Sequence, residues 1–195
     1  GSGALPKDPE QAVKWYSKAA ERNEPLAMKN LGDCYRFARG VAKDEKVAVT
    51  WYTKSAELGY SRAMTSLGVC HEYGYGVEKN QKTAFEWYQK SAEKGDPDGI
   101  CNLGVCLEKG IGVEKNFNQA FQQYTKAAEL GHARAMNNLG VCYEVGRGVN
   151  KDPKLAFQWY SRSAENEYTL GMRNLAECYE VGRGVELNDK EAVKW

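Results

Sequence analysis

The chain has 195 residues, is 42% hydrophobic and carries a net charge of +1, with 27 basic against 26 acidic residues. That length allows a substantial core, while the balanced charge supplies no field to draw the chain to nucleic acid or an anionic membrane. No apolar run approaches the roughly 18–20 residues needed to span a bilayer, and the two histidines, His71 and His132, form no cluster for a nucleophile–base pair or a catalytic zinc.

Residues 1–3 read as a tag scar, and no basic-plus-apolar leader stands at the start. From residue 8 onward one unit is written repeatedly. Cysteine recurs at 34, 70, 106, 142 and 178, a period of 36, and Leu31, Leu67, Leu103, Leu139 and Leu175 each stand three residues before one of them. Such a period is the mark of a stacked repeat array. Residues 8–23 are predicted to be the second helix of a preceding repeat. Asp8 caps it, Pro9 takes the first helical position, where a missing N–H does no harm, and Asn23 closes it in a left-handed turn.

Residues 24–59 make the first complete repeat, with Leu31, Gly32 and Cys34 in its first helix and a second helix between Asp44 and Gly59. Residues 60–95 show the unit most plainly. Its first helix is predicted over about 61–73, where Ala63, Met64, Leu67, Gly68 and Cys70 form one stripe on a 3.6-residue period. Gly74-Tyr75-Gly76-Val77 ends that helix; it follows a helix rather than a strand, so it is not a phosphate-cradling loop. Asn80 caps the second helix, Ala84, Trp87, Tyr88, Ser91 and Ala92 form its apolar face, and Gly95 closes it.

Residues 96–131 and 132–167 repeat the pattern, with turns at Gly110-Ile111-Gly112-Val113 and Gly146-Arg147-Gly148-Val149 and caps at Asn116 and Asp152. Residues 168–195 open a further, truncated repeat, so the whole of 1–195 reads as one array cut from a longer one. Gln11, Gln119 and Glu191 stand three residues past their caps and predict capping boxes. Gly32, Gly68, Gly104 and Gly140 sit mid-helix at a cost of about 1 kcal/mol each against alanine, which predicts close approach of a neighbouring helix there. Glu167 occupies the place where Gly59, Gly95 and Gly131 end the second helix, and predicts a reshaped corner.

The fold class is all-α, built of 36-residue antiparallel helix pairs that cannot bury their stripes alone. The block Ala135-Met136-Asn137-Asn138-Leu139-Gly140-Val141-Cys142-Tyr143, then Gly146-x-Gly148-Val149, Lys151-Asp152, Ala156, Trp159-Tyr160 and Ser163-Ala164-Glu165, resembles the Sel1-like repeat family, a relative of the tetratricopeptide repeat. The resemblance recurs along nearly the whole chain. It implies a right-handed α-α superhelix (solenoid) used as a scaffold or adaptor. Some relatives are cysteine-rich secreted proteins with disulfides joining the two helices of a repeat, and penicillin binding has been ascribed to that subgroup. Here each unit has one repeated cysteine, in the first helix, which argues against membership of it.

Translational equivalents one repeat apart lie roughly 10 Å from each other, beyond the reach of a disulfide. Reduced thiols are therefore expected, and with them the cytosol; a secretory compartment, the ER lumen or periplasm, is the alternative. Cys101 stands outside the register, among Lys29, Asn137 and Arg173, and is expected to be exposed.

At 100° per residue, three columns flank the buried stripe of the first helices. They read Asn30, Ser66, Asn102, Asn138, Asn174; then Asp33, Val69, Val105, Val141, Glu177; then Phe37, Tyr73, Lys109, Val145, Val181. Asparagine amides both donate and accept, so the first column suits an extended peptide backbone; inter-repeat packing is the competing use. Val69, Val105 and Val141 are expected to line the same groove, with Tyr73 beside them. On the opposite flank Glu72, Glu108, Glu144 and Glu180 follow Arg36, a column expected to be solvated, with docking of a basic segment as the rival. The chain is thus expected to be a non-catalytic protein-interaction scaffold without cofactor or metal. It would bind a partner peptide or helix in its concave groove, with end-to-end self-association through its termini. The alternative is a structural spacer in a larger signalling or membrane-complex protein.

Overall fold

The computed structural model describes residues 8–195, so the tag-scar reading of residues 1–3 lies outside the described residues. Among the described residues every regular element is a helix: α1 (Pro9–Ala20), α2 (Pro25–Phe37), α3 (Glu45–Glu57), α4 (Ser61–Tyr73), α5 (Gln81–Glu93), α6 (Pro97–Lys109), α7 (Phe117–Glu129), α8 (Ala133–Val145), α9 (Pro153–Glu165), α10 (Thr169–Val181) and α11 (Asp189–Lys194). Even-numbered helices are the first helices of their repeats. The described residues fall into two compact units, one ending at Gly99 and one beginning at Ile100, a division that falls within α6. None of these helices is long and apolar enough to cross a membrane.

Local chemistry sets the helix ends. Asp8, Asp44, Asn80, Asn116, Asp152 and Asn188 each accept a hydrogen bond from an N–H of the first turn that follows. The capping boxes predicted at Asn116 and Asn188 are not completed. The backbone N–H of each cap donates instead to the carbonyl of Leu107 or Tyr179, at 2.8 and 2.9 Å, so Gln119 and Glu191 have no donor to answer. That bond recurs from Asp44, Asn80 and Asp152 to Tyr35, His71 and Tyr143, and ties each second helix to the one before it.

In the Gly-x-Gly-Val turn the two glycines do different things. The first ends the helix in the left-handed region, as at Gly146 with φ 78°, although Ala38 takes that place with φ 54°. The second lies against the preceding repeat: a Cβ on Gly76 would collide with the carbonyl of Glu45, and one on Gly148 with that of Phe117. The corner at Glu167 is not reshaped. It keeps φ 59°, and Glu167 and Tyr168 donate to Ala164 and Ser163 just as Gly131 and His132 donate to Ala128 and Ala127. Side-chain and solvent interactions can carry a left-handed non-glycine residue at a cost of about 1–2 kcal/mol.

The core has two layers of contact. Within a repeat, a tyrosine of the second helix fills the notch left by the mid-helix glycine. A Cβ on Gly32 would stand 2.6 Å from the Tyr52 ring and one on Gly104 2.7 Å from Tyr124; Gly68 and Gly140 face Tyr88 and Tyr160 in the same way. Between repeats, small and aliphatic residues interlock. In the first unit Ala48, Tyr52 and Ala56 of α3 pack with Ala63, Met64, Leu67 and Cys70 of α4. In the second, Ala156, Tyr160 and Ala164 of α9 pack with Leu175 and Cys178 of α10. Fully burying one such large side chain contributes about 1.5–3 kcal/mol, so the stacking of neighbours holds each pair in place.

All six cysteines are free and buried. That corrects the expectation for Cys101, which is 0% exposed. Its place on the first helix faces the next repeat, and Arg134 of α8 covers it, with Nε donating to Sγ at 3.3 Å.

Candidate interaction face on the first helices

Each first helix presents its three flanking columns beside the buried stripe, and the structure separates them by what they touch. In the first unit the Ser66 hydroxyl bonds back to the Arg62 carbonyl at 3.0 Å. Asn30 lines a cleft of about 550 Å³ together with Tyr16, Asp33, Cys34 and Arg39. In the second unit Asn102 accepts from Arg134, and Asn174 donates to Asn137 of the previous repeat at 2.8 Å. Those two asparagines therefore serve inter-repeat packing. Asn138 stands between them half-buried, with no hydrogen bond from its amide to the described residues.

Val69, Val105 and Val141 are all half-buried. Val141 packs against the α9–α10 core cluster, so part of its surface already belongs to the next repeat. The last-turn column is the open one: Phe37 is 51% exposed, Tyr73 59%, Val145 41% and Val181 54%.

The glutamate column is a correction to its reading as a simple solvated strip. Tyr88 donates to Glu72 at 2.7 Å, Tyr124 to Glu108 at 2.8 Å, and Tyr160 to Glu144. These carboxylates receive the one polar atom of each notch-filling tyrosine. Two of them also bind arginines from the next repeat's turn, Arg147 to Glu108 at 2.7 Å and Arg183 to Glu144, while Glu180 is exposed. Burial, then the adjacent carboxylate, push the Tyr124 hydroxyl well above the usual phenol range; Tyr160 is raised likewise, first by burial. Burial also pushes the thiols up, Cys70 and Cys178 to about 11 and Cys142 to about 12. Such thiols stay protonated and unreactive at neutral pH.

Sequence reasoning missed the residue between the two turn glycines, which reads Arg39, Tyr75, Ile111, Arg147, Arg183. Tyr75, Arg147 and Arg183 reach the preceding repeat's column at Arg36, Glu108 and Glu144, and the partners change together. Where the column carries Arg36, the turn residue is Tyr75, and the guanidinium lies 4.7 Å from its ring centroid. Arginine at 36 cannot accept from Tyr52, and Asp33, standing where the next three repeats have valine, takes that bond at 2.7 Å. Its second oxygen pairs with Lys29, also at 2.7 Å. The departures at 33, 36 and 75 were visible in the sequence, but only their proximity shows that they are one exchange.

His132 Nδ1 accepts from the Ala135 N–H at 3.2 Å and caps α8, and His71 Nδ1 has no hydrogen-bond partner among the described residues. Among the described residues no three of His, Cys, Asp or Glu gather as metal ligands.

The family described as Sel1 repeat matches residues 1–24, 25–60, 61–96, 97–132, 133–168 and 169–195. A Sel1 repeat protein from Oxalobacter formigenes is similar at 36% identity and a TM-score of 0.91, over 97% of this chain and 76% of that one. A protective antigen of uropathogenic Escherichia coli strains displaying an SLR fold is 35% identical with a TM-score of 0.83, over 95% of this chain and 40% of that one. An immunity protein from Pseudomonas aeruginosa is 25% identical with a TM-score of 0.69, over 98% of this chain and 73% of that one. A sequence search of the curated proteins finds no match. Six matched repeats, stacked helix pairs and the glycine–tyrosine notch agree: the chain belongs to the Sel1 repeat family, whose members generally mediate protein–protein interaction and are typically non-catalytic scaffolds.

Proposed function

We propose that this chain is a non-catalytic scaffold that captures a segment of a partner protein on the first-helix face of each unit. One observation carries the reading. In the second unit Asn102 and Asn174 are engaged between repeats, whereas the half-buried Asn138 amide is unspent on the helix flank that carries the exposed Val145 two turns later, with Val181 at the equivalent place in the next repeat. An amide that both donates and accepts, on the same flank as open apolar side chains, suits an extended backbone with spaced anchors. The first unit offers the matching elements Asn30, Val69 and Tyr73. The free, buried thiols support a reducing compartment, and we place the protein in the cytosol.

Affinity capture with the wild-type chain and with Asn138→Ala combined with Val145→Asp tests the assignment. Both changes sit on the open face, so the fold is retained, as thermal melting checks. Loss of the captured partner by the double variant supports the reading. A partner held equally well by both proteins removes this face from the interaction, and capture of none leaves the spacer as the better account.

A further inference from the structure

The first unit carries a cluster with no counterpart in the second. Arg36 lies 4.9 Å from the Phe37 ring centroid as well as 4.7 Å from that of Tyr75, and Arg39 lies 5.2 Å from Phe37. Tyr75 in turn stacks on Tyr73, with centroids 5.7 Å apart and planes inclined by 22°. Phe37 and Tyr73 are more than half exposed, so aromatic area and guanidinium edges reach solvent together. Among the described residues neither Arg36 nor Arg39 forms an ion pair, and Asp33, the acid on the same helix, is engaged by Lys29 and Tyr52. In the second unit the comparable arginines are neutralised, Arg147 by Glu108 and Arg183 by Glu144 and Glu177.

We propose that Arg36, Phe37, Arg39 and Tyr73 form a docking site for an acidic protein segment bearing an aromatic or aliphatic anchor. This rests on the scaffold reading and names the partner chemistry for the first unit. Carboxylates of the segment face the two guanidiniums, which stacking on the rings holds ready for bidentate contact. The anchor covers Phe37 and Tyr73, and rigid aromatics paired with arginine are the residues that dominate binding at protein interfaces. A wholly apolar partner would bury unpaired cations, which disfavours it. A nucleic acid would need a longer basic stripe than two arginines on a chain of net charge +1.

The test is fluorescence anisotropy with three labelled probes: a short peptide of glutamate and aspartate around one tryptophan, its glutamine and asparagine analogue, and single-stranded oligouridylate. The acidic peptide is expected to bind and the analogue to bind at least about ten-fold more weakly, a difference of about 1.4 kcal/mol. Arg36→Glu installs the carboxylate that other repeats carry, so the fold is retained, as circular dichroism checks, and acidic-peptide binding drops by a similar factor. Phe37→Ser with Tyr73→Ser weakens it too, while Gln122→Ala, at an exposed position of α7 in the second unit, leaves it unchanged. Equal binding of the neutral analogue, insensitivity to Arg36→Glu, or tighter binding of oligouridylate overturns the proposal. If no acidic peptide binds while a captured partner still depends on Asn138, the acidic-segment assignment fails and the scaffold reading stands.

Discussion

The tyrosine notch shows how single residues govern this fold. Gly32, Gly68, Gly104 and Gly140 are mid-helix glycines because each faces an aromatic ring. Gly140→Ala is therefore expected to cost about 1–3 kcal/mol, as overpacking does, measured as a lower urea midpoint. Glu167 offers the reverse case. Its left-handed backbone, φ 59°, makes Glu167→Gly stabilising by about 1 kcal/mol, read as a rise in Tm. The cysteine column adds a pH dependence. Unfolded thiols titrate near 9.0, whereas burial raises Cys70 and Cys178 to about 11 and Cys142 to about 12. Between these values the unfolded chain sheds protons that the folded chain keeps, so stability is full below pH 9 and falls as pH rises towards 12. Urea midpoints across that range should decline, and a flat profile would remove the thiols from the balance. The notch and the cysteine column were legible because both recur every 36 residues. The burial of Cys101 was not, since it depends on Arg134, a residue of the next repeat.

At the level of elements, helix positions were almost fully readable. The helix expected over about 61–73 is Ser61–Tyr73, because a left-handed glycine marks its end and an Asn or Asp marks each following helix start. The contacts between elements were less readable, since they join side chains about 16–39 positions apart through a geometry the chain does not print. The Asp33–Tyr52 bond and the Arg36–Tyr75 contact are the clearest instance. Asp33→Val alone leaves the Tyr52 hydroxyl without its acceptor and is expected to cost about 1–2 kcal/mol. Adding Arg36→Glu supplies the acceptor used by Tyr88 and Tyr124, so the double variant should recover about 1 kcal/mol of that loss. A double-mutant cycle by urea denaturation checks it, and strict additivity would show that the two positions are not coupled.

For the molecule as a whole, the repeat period settled the family and the all-α architecture, and the six matched repeats agree with it. The candidate interaction face was only half legible. Its columns followed from helix periodicity, but which asparagines are spent on packing depended on Arg134 and Asn137, and the glutamate column turned out to hold tyrosine hydroxyls. The central claim is that the first helices, not the second, meet the partner. Hydrogen–deuterium exchange of the chain alone and in complex with a captured partner tests it most directly. The account predicts added protection in α2, α4, α8 or α10 and none confined to α3, α5 or α9; protection restricted to those second helices would contradict it.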